Sequence, residues 1–146
     1  MSEKLILFSM VTTFSQKPIK ILVVDDDESI RSMLVVLFQS LKCIVHSAKN
    51  GKEALRIYQN QSDAFELVIL DFRMPVMDGK AAFEKIRSIN PTQKILMISG
   101  SENDPDLQKI IIKEHVSFLG KPFQIEDIIG ELNELLDNQL PCTDES

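Results

Sequence analysis

The chain has 146 residues, of which 44% are hydrophobic and 26% are charged, a size and composition typical of one globular domain with a single core. Its formal net charge of -6 argues against a nucleic-acid partner, because phosphate contacts need clustered Lys and Arg. Two cysteines, Cys43 and Cys142, form neither a metal-binding spacing nor a disulfide framework. We therefore expect reduced thiols and a cytoplasmic location.

Residues 1–17 precede the first regular pattern, and we interpret them as an N-terminal extension. Their apolar run is short, is interrupted by serine and lacks a basic lead-in, so it does not fit a signal peptide. No later segment approaches the length of a membrane helix, and no membrane insertion is expected. Residues 18–138 are predicted to form the domain, and residues 139–146 a polar C-terminal tail.

From Pro18 onward, short β-branched runs alternate with longer stretches of helical spacing, which is typical of βα units around a parallel sheet. The predicted strands are residues 19–24, 43–47, 67–70, 95–98 and 117–120. Five strands, each followed by a helix, predict an α/β fold of the flavodoxin-like, doubly wound (βα)5 type with right-handed crossovers.

The first two helices carry recognisable start signals. Asp27 or Glu28 stands where a carboxylate would face the positive end of the first helix dipole. The second helix is predicted to begin at Asn50, with Glu53 reaching back in a capping-box arrangement.

The third helix is predicted over residues 79–88, and the fourth opens at Asp104, a cap that is followed by a proline. The fifth helix begins after Gln124, a mediocre cap. The fourth helix carries more apolar residues than can all face inward, so we expect one or more to be exposed. These residues are Leu107, Ile110, Ile111 and Ile112.

Asp25 and Asp26 follow the first predicted strand, and Asp71 follows the third. Carboxyl ends of parallel strands meet at one edge of a sheet, so these acids should converge there with Ser99 and Lys121. Two carboxylates about 4 Å apart repel by roughly 4 kcal/mol at an effective dielectric constant of about 20. A cation is therefore expected among them, and hard oxygen ligands suit Mg²⁺.

Four segments, in this order and spacing, resemble the receiver domain of two-component response regulators. They are ILVVDDD at 21–27, LDFRMPVMDG at 70–79, ISG at 98–100 and GKPF at 120–123. The resemblance runs from about Lys20 to Asp137 and implies a stand-alone, single-domain phosphoacceptor. It implies a regulatory protein that catalyses its own phosphorylation and dephosphorylation, and not a conventional enzyme.

The resemblance also assigns roles at the acidic edge. Asp71 would attack the phosphorus of a partner's phosphohistidine and become an aspartyl phosphate. Asp26 and Asp71 would bind Mg²⁺ (or Mn²⁺) directly, Asp25 would bind it directly or through water, and the backbone carbonyl of Arg73 would complete the ligands. Lys121 would pair with the phosphoryl oxygens.

Other matching positions imply a switch. Ser99 would donate its hydroxyl to the phosphoryl group, and Phe118 matches the rotating aromatic residue of the family. Arg73 and Ser101 occupy positions that tune dephosphorylation in relatives. The peptide bond before Pro122 is expected to be cis.

The implied partners are a histidine kinase or histidine phosphotransfer protein as donor, and a downstream protein target. Because few residues follow the predicted domain, we expect output through another protein or a phosphorelay. The fourth helix, fifth strand and fifth helix are predicted to form the switched surface, and a homodimer through the two helices stays open. His46 and His115 are interpreted as structural histidines.

Two other function classes stay open at this point. The pattern D-x-D-x-S at 25–29 is also found in haloacid-dehalogenase-type phosphatases, where Asp25 would be the nucleophile. That class usually needs a longer chain and a late acidic pair. A flavodoxin-like binding module is permitted by the fold, although the loop after the first strand lacks glycines and hydroxyls to hold a flavin phosphate.

Overall fold

The computed structural model describes residues 18–61, 64–114 and 116–136, together with Glu3. The strands are β1 Lys20–Val24, β2 Ile44–Ala48, β3 Leu67–Asp71, β4 Ile95–Ser99 and β5 Ser117–Gly120. The helices are α1 Glu28–Ser40, α2 Gly51–Asn60, α3 Gly79–Ile89, α4 Pro105–Glu114 and α5 Ile125–Leu135. The predicted terminal segments, His115 and Cys142 lie outside the described residues, so the predicted domain limits stay predictions.

The five strands form one parallel sheet in the order β2-β1-β3-β4-β5. The predicted flavodoxin-like, doubly wound α/β fold is confirmed. The strand order reverses between β1 and β3, the point at which such sheets open a crevice at their carboxyl edge. Strands β3 and β4 run one residue further than predicted, because Asp71 still pairs with Ile98 and Ser99 still pairs with Gly120 in the ladders.

The helices cover both faces of the sheet because side chains alternate along the two central strands. Leu22 and Val24 of β1 point into a core with α2, α3 and α4, whereas Ile21 and Val23 point into a second core with α1 and α5. All four side chains are fully buried. Strand β1 is therefore apolar on both faces, as a central parallel strand must be.

Two helix starts agree with the sequence, and one detail does not. Asp27 caps α1, accepting hydrogen bonds from the backbone N–H groups of Ser29 and Ile30 at 2.9 and 3.2 Å. Asn50 caps α2, accepting from the Glu53 N–H at 2.8 Å. The predicted capping box is wrong in its return bond, because the Glu53 carboxylate accepts from the N–H of Lys49 at 3.0 Å. The extended backbone of Asn50 turns the preceding N–H toward the helix end.

Acidic side chains accept backbone hydrogen bonds at the starts of α4 and α5. Asp104 Oδ1 accepts from the N–H of Asp106 at 2.9 Å, which confirms it as the cap of α4. Asp127 Oδ2 accepts from the N–H of Gln124 at 2.9 Å, so an acid three residues on secures the start of α5. Ile112 of α4 is 71% exposed, as the apolar surplus of that helix predicted. Across the described ranges, no helix is both long and apolar enough to cross a membrane.

The end of α1 has a left-handed residue that is not glycine. Lys42 has φ 69°, its N–H donates to the carbonyl of Gln39, and the Cys43 N–H donates to the carbonyl of Phe38. This pair of bonds is the Schellman arrangement, in which glycine avoids the steric cost of a Cβ. Replacement Lys42→Gly should raise the free energy of unfolding in urea by about 0.5–1 kcal/mol. Lys42→Ala, which keeps the Cβ, should give no such gain, and an equal gain from both would contradict this explanation.

Gly79 allows the start of α3 to lie against the end of β3. Its N–H donates to the Phe72 carbonyl at 2.8 Å, and an added Cβ would lie 2.6 Å from Phe72 Cα. Gly79→Ala should lower the free energy of unfolding by about 1–3 kcal/mol, because backbone atoms must move. Gly100→Ala is the matched control, since nothing lies within 4 Å of its added Cβ. Equal urea-unfolding curves for the two variants would contradict the packing argument.

Candidate functional site

Three carboxylates meet at the carboxyl edge of the sheet. Asp25 and Asp26 follow β1, Asp71 ends the neighbouring β3, and one oxygen of each lies within 4.8 Å of the others. Asp25 and Asp71 are buried and Asp26 is exposed. The convergence predicted from the strand ends is therefore present, and it lies at the reversal of strand order.

Lys121 brings a positive charge into this group. Its Nζ atom lies 3.0 Å from Asp25 Oδ2 and 3.2 Å from Asp71 Oδ2. The side chain is placed from β5, because the Lys121 N–H continues the ladder by donating to the Ser99 carbonyl at 2.7 Å. Burial would lower the pKa of Lys121, but hydrogen bonding to Asp25 and the charge of Asp71 together raise it above its usual value. The lysine is thus charged at neutral pH.

Burial raises the pKa of Asp71 from 3.8 to about 7, and repulsion from Asp25 adds to this increase. Lys121 opposes both effects without cancelling them. One ammonium group against three carboxylates leaves the group of four side chains with surplus negative charge. A further cation would relieve the repulsion.

Asp25 supports the same conclusion through its hydrogen bonds. Its Oδ1 accepts from the N–H of Asp27 at 2.8 Å. Its Oδ2 is buried and pairs with Lys121 at 3.0 Å, and the same ammonium group is shared with Asp71. A buried carboxylate that shares its counter-charge with a second carboxylate, in an all-oxygen group, fits a divalent cation such as Mg²⁺.

Ser99 borders the acidic group from β4. It is buried, and its Oγ accepts a hydrogen bond from the N–H of Ser101 at 2.9 Å, which leaves the hydroxyl proton available to another acceptor. Ser101 itself is exposed. Phe118 of β5 is half-buried and packs against the core that contains Leu107 and Ile110 of α4. A polar cleft continues outward from Ser99, and its lining is Ser99, Gly100, Ser101, Glu102, Asn103, Asp104, Gly120 and Lys121.

Arg73 has partners that the sequence did not reveal. Its Nη2 forms an ion pair with Asp104 Oδ2, its Nη1 lies 3.8 Å from Asp78 Oδ2, and its guanidinium lies 4.9 Å from the centre of the Phe72 ring. The hydrogen bond with Arg73 holds the pKa of Asp104 below its usual range. The sequence identifies Asp104 as a helix cap, whereas its ion pair with Arg73 depends on the fold.

The loop between β3 and α3 is held in a strained turn. Val76 has φ 71° and is 76% exposed. The Met77 N–H donates to the Pro75 carbonyl at 2.9 Å across this residue, which closes a three-residue turn of the rarer γ type. The Gly51 N–H donates to the Met77 carbonyl at 2.9 Å, so α2 fixes the far side of the loop.

Other predicted features behave as structural elements. The peptide bond between Lys121 and Pro122 is cis, as expected. His46 packs edge-on against Phe65, with 5.6 Å between ring centroids, and burial together with Lys20 lowers its pKa. Burial raises the pKa of the Cys43 thiol to about 12, aided by Glu66, so this thiol stays protonated.

Comparison with known proteins gives consistent matches. The family model for the response regulator receiver domain matches residues 21–133. The chemotaxis protein CheY of Bacillus subtilis is 31% identical over 118 residues, covering 80% of this chain and 97% of that protein. The structure of CheY4 of Vibrio cholerae is 32% identical with a TM-score of 0.73, covering 82% of this chain and 100% of the other.

A third match carries a ligand in its own crystal. The response regulator protein TrrA of Thermotoga maritima, solved in complex with Mg(2+)-BeF, is 28% identical with a TM-score of 0.68, covering 81% of this chain and 99% of the other. Longer curated relatives are matched only over a part, since the chain spans 13% of a sensor kinase and 29% of a transcriptional regulatory protein. The family match, the parallel sheet and the acidic edge agree: this chain belongs to the response regulator receiver domain family of two-component systems.

Proposed function

We propose that Asp71 accepts a phosphoryl group from the phosphohistidine of a histidine kinase or histidine phosphotransfer protein, in a reaction that requires Mg²⁺. Receiver domains are signalling phosphoacceptors, and the proposal concerns the residue, the donor, the metal and the response. The observation that carries it is the position of Asp71, buried beside Asp25 and 3.2 Å from Lys121 Nζ. Asp71 therefore has two kinds of neighbour. The Lys121 ammonium group can pair with phosphoryl oxygens, and the carboxylates of Asp25 and Asp26 can bind a metal ion.

In the proposed reaction, an Asp71 oxygen forms a bond to phosphorus while the bond from phosphorus to the histidine nitrogen breaks. The electron pair of the broken bond stays on the imidazole of the donor. Lys121 would move from pairing with the Asp71 oxygen to pairing with phosphoryl oxygens. Ser99 would donate its hydroxyl proton to another of them. These residues position the group and stabilise its charge, which supplies most of the catalysis in phosphoryl transfer.

Asp25, Asp26 and Asp71, with the backbone carbonyl of Arg73, would hold the metal. Bound there, Mg²⁺ would neutralise charge on the phosphoryl oxygens, and Mn²⁺, which accepts similar oxygen ligands, should substitute. Support comes from the grouping of three carboxylates around one ammonium group, the raised pKa of Asp71 and the Mg(2+)-BeF complex of TrrA. The same groups would promote hydrolysis of the aspartyl phosphate, so the chain acts as a regulatory phosphoacceptor.

The response would pass from Ser99 to the surface of α4, β5 and α5. If Ser99 turns to the phosphoryl group, its Oγ gives up the bond from the Ser101 N–H, and half-buried Phe118 can fill the space released. Such a change shifts an existing equilibrium, and a coupling of about 1–3 kcal/mol changes partner affinity roughly 5–150-fold. Exposed Ile112 would belong to the surface that a downstream protein recognises. A homodimer through α4 and α5 is an alternative use of that surface.

The phosphoacceptor is tested by intact-mass measurement after incubation with acetyl phosphate and Mg²⁺. The native chain should gain one phosphoryl group, and Asp71→Asn should gain none. Asp27→Asn is the matched control, because asparagine caps α1 equally well and the exposed Asp27 is absent from the proposed chemistry. Modification that persists in Asp71→Asn but disappears in Asp25→Asn would instead support the dehalogenase-type phosphatase. Absence of modification in the native chain would favour a binding module.

The raised pKa of Asp71 predicts that the stability of the metal-free chain falls as pH rises toward neutrality. Because the folded pKa of Asp71, about 7, lies above its ordinary 3.8, the folded chain binds more protons than the unfolded chain between these values. The contribution of Asp71 to stability is therefore lost as pH rises from about 4 to 7. In EDTA, the free energy of unfolding of the native chain should fall between pH 4 and 8 by up to about 4 kcal/mol more than that of Asp71→Asn. Mg²⁺ should stabilise the native chain at pH 8. Parallel pH profiles in urea unfolding would contradict this account.

A further inference from the structure

The side chain of Arg73 is held by an acid from a different loop. Arg73 follows Asp71 by two residues, and its guanidinium pairs with Asp104 Oδ2 just before α4. The Arg73 side chain is 53% exposed, whereas the Asp104 side chain is 9% exposed. The acid is therefore the more buried member of the pair, and the arginine is the more accessible one.

The two oxygens of Asp104 have separate functions. Oδ1 accepts from the Asp106 N–H at 2.9 Å and caps α4, whereas Oδ2 pairs with Arg73. Capping needs an oxygen acceptor but no charge, because asparagine caps as well as aspartate. The pairing with Arg73, in contrast, depends on the negative charge. The two functions can therefore be separated by one substitution.

The pair also lies beside the proposed phosphorylation site. Asp104 lines the same polar cleft as Ser99 and Lys121, and Lys121 Nζ is 3.2 Å from Asp71 Oδ2. The Arg73 guanidinium is thus held against a residue that lines the cleft containing Ser99 and Lys121.

Given the proposed function, we propose that Asp104 is a positioning residue that withholds Arg73 from the aspartyl phosphate and so shortens its lifetime. A phosphoryl group carries about -1.5 to -2 charges and can accept two parallel hydrogen bonds from a guanidinium. It therefore competes with Asp104 for Arg73. Exposed ion pairs are weak. The position of Arg73 should therefore change when either the Asp104 charge or the phosphoryl group is removed.

The lifetime depends on access of water to phosphorus. In hydrolysis, water adds its oxygen to phosphorus, and the bond between phosphorus and the Asp71 oxygen breaks with its electron pair staying on the carboxylate. Inorganic phosphate and one proton are released. A guanidinium bound across the phosphoryl oxygens covers the open side of the group, so Arg73 released from Asp104 should slow this step.

The test measures the decay of acetyl-phosphate-labelled protein in Mg²⁺ by intact mass. Asp104→Asn should lengthen the lifetime about two- to five-fold, the range that an exposed ion pair supports. Asp106→Asn is the matched control: it removes the same charge from the first turn of α4, but its partner is Lys80 at 3.8 Å. This control should leave the lifetime unchanged. An unchanged or shorter lifetime in Asp104→Asn, or equal effects in both variants, would overturn the proposal.

A double variant separates positioning of Arg73 from a general effect on α4. Arg73→Gln supplies the reference lifetime of a chain that lacks the guanidinium. Adding Asp104→Asn to Arg73→Gln should then have no effect. The same lengthening with and without Arg73 would overturn the positioning role. Failure of the native chain to accept a phosphoryl group at Asp71 would instead refute the proposed function, so the two failures are distinguishable.

Discussion

The repulsion among Asp25, Asp26 and Asp71 is the constraint on which the functional edge depends. The oxygens of these residues are grouped within 4.8 Å, and two of the side chains are buried, where like charges cannot be screened by water. Lys121 relieves part of the repulsion through ion pairs of 3.0 and 3.2 Å. Burial, together with the remaining repulsion from Asp25, raises the pKa of Asp71 to about 7. The surplus negative charge favours a divalent cation. A site with this surplus of negative charge is suited to bind a divalent cation.

The surrounding loops keep this unfavourable arrangement in place. Gly79 lets α3 lie directly against the end of β3, and Gly51 lets α2 approach the carbonyl of Met77. The left-handed turn at Val76 lies between these two contacts. The loop after β3 is thus fixed on both sides, which limits how far the acids can separate. Geometry that packing enforces in this way is characteristic of functional sites.

Arg73 illustrates how the same loop connects with α4. Its ion pair with Asp104 joins the segment that follows Asp71 to the cap of a helix in the proposed response surface. Ser99 makes a second connection, through its bond from the Ser101 N–H and its carbonyl bond from Lys121. Both connections involve exchangeable polar contacts around a rigid apolar sheet. Such contacts can change partners without disturbing the core.

Hydrophobic periodicity in the sequence was sufficient for the five strands, the five helices and the meeting of Asp25, Asp71, Ser99 and Lys121, because parallel strands end at a common edge. Residue types at the helix starts were sufficient for the caps Asn50 and Asp104. They left Asp27 and Glu28 as alternatives at the start of α1, where the structure shows Asp27 as the cap. The partner of Glu53 and the support of α5 by Asp127 are local contacts, but they depend on exact backbone direction, which residue type alone does not give. The pairing of Arg73 with Asp104 joins two different loops and therefore depends on the tertiary fold. The sequence by itself determined which chemical groups share the edge, because strand ends and residue types are local properties. Tertiary structure decided which of these groups are buried and which carboxylates share the Lys121 ammonium group, because burial and pairing depend on how distant segments pack.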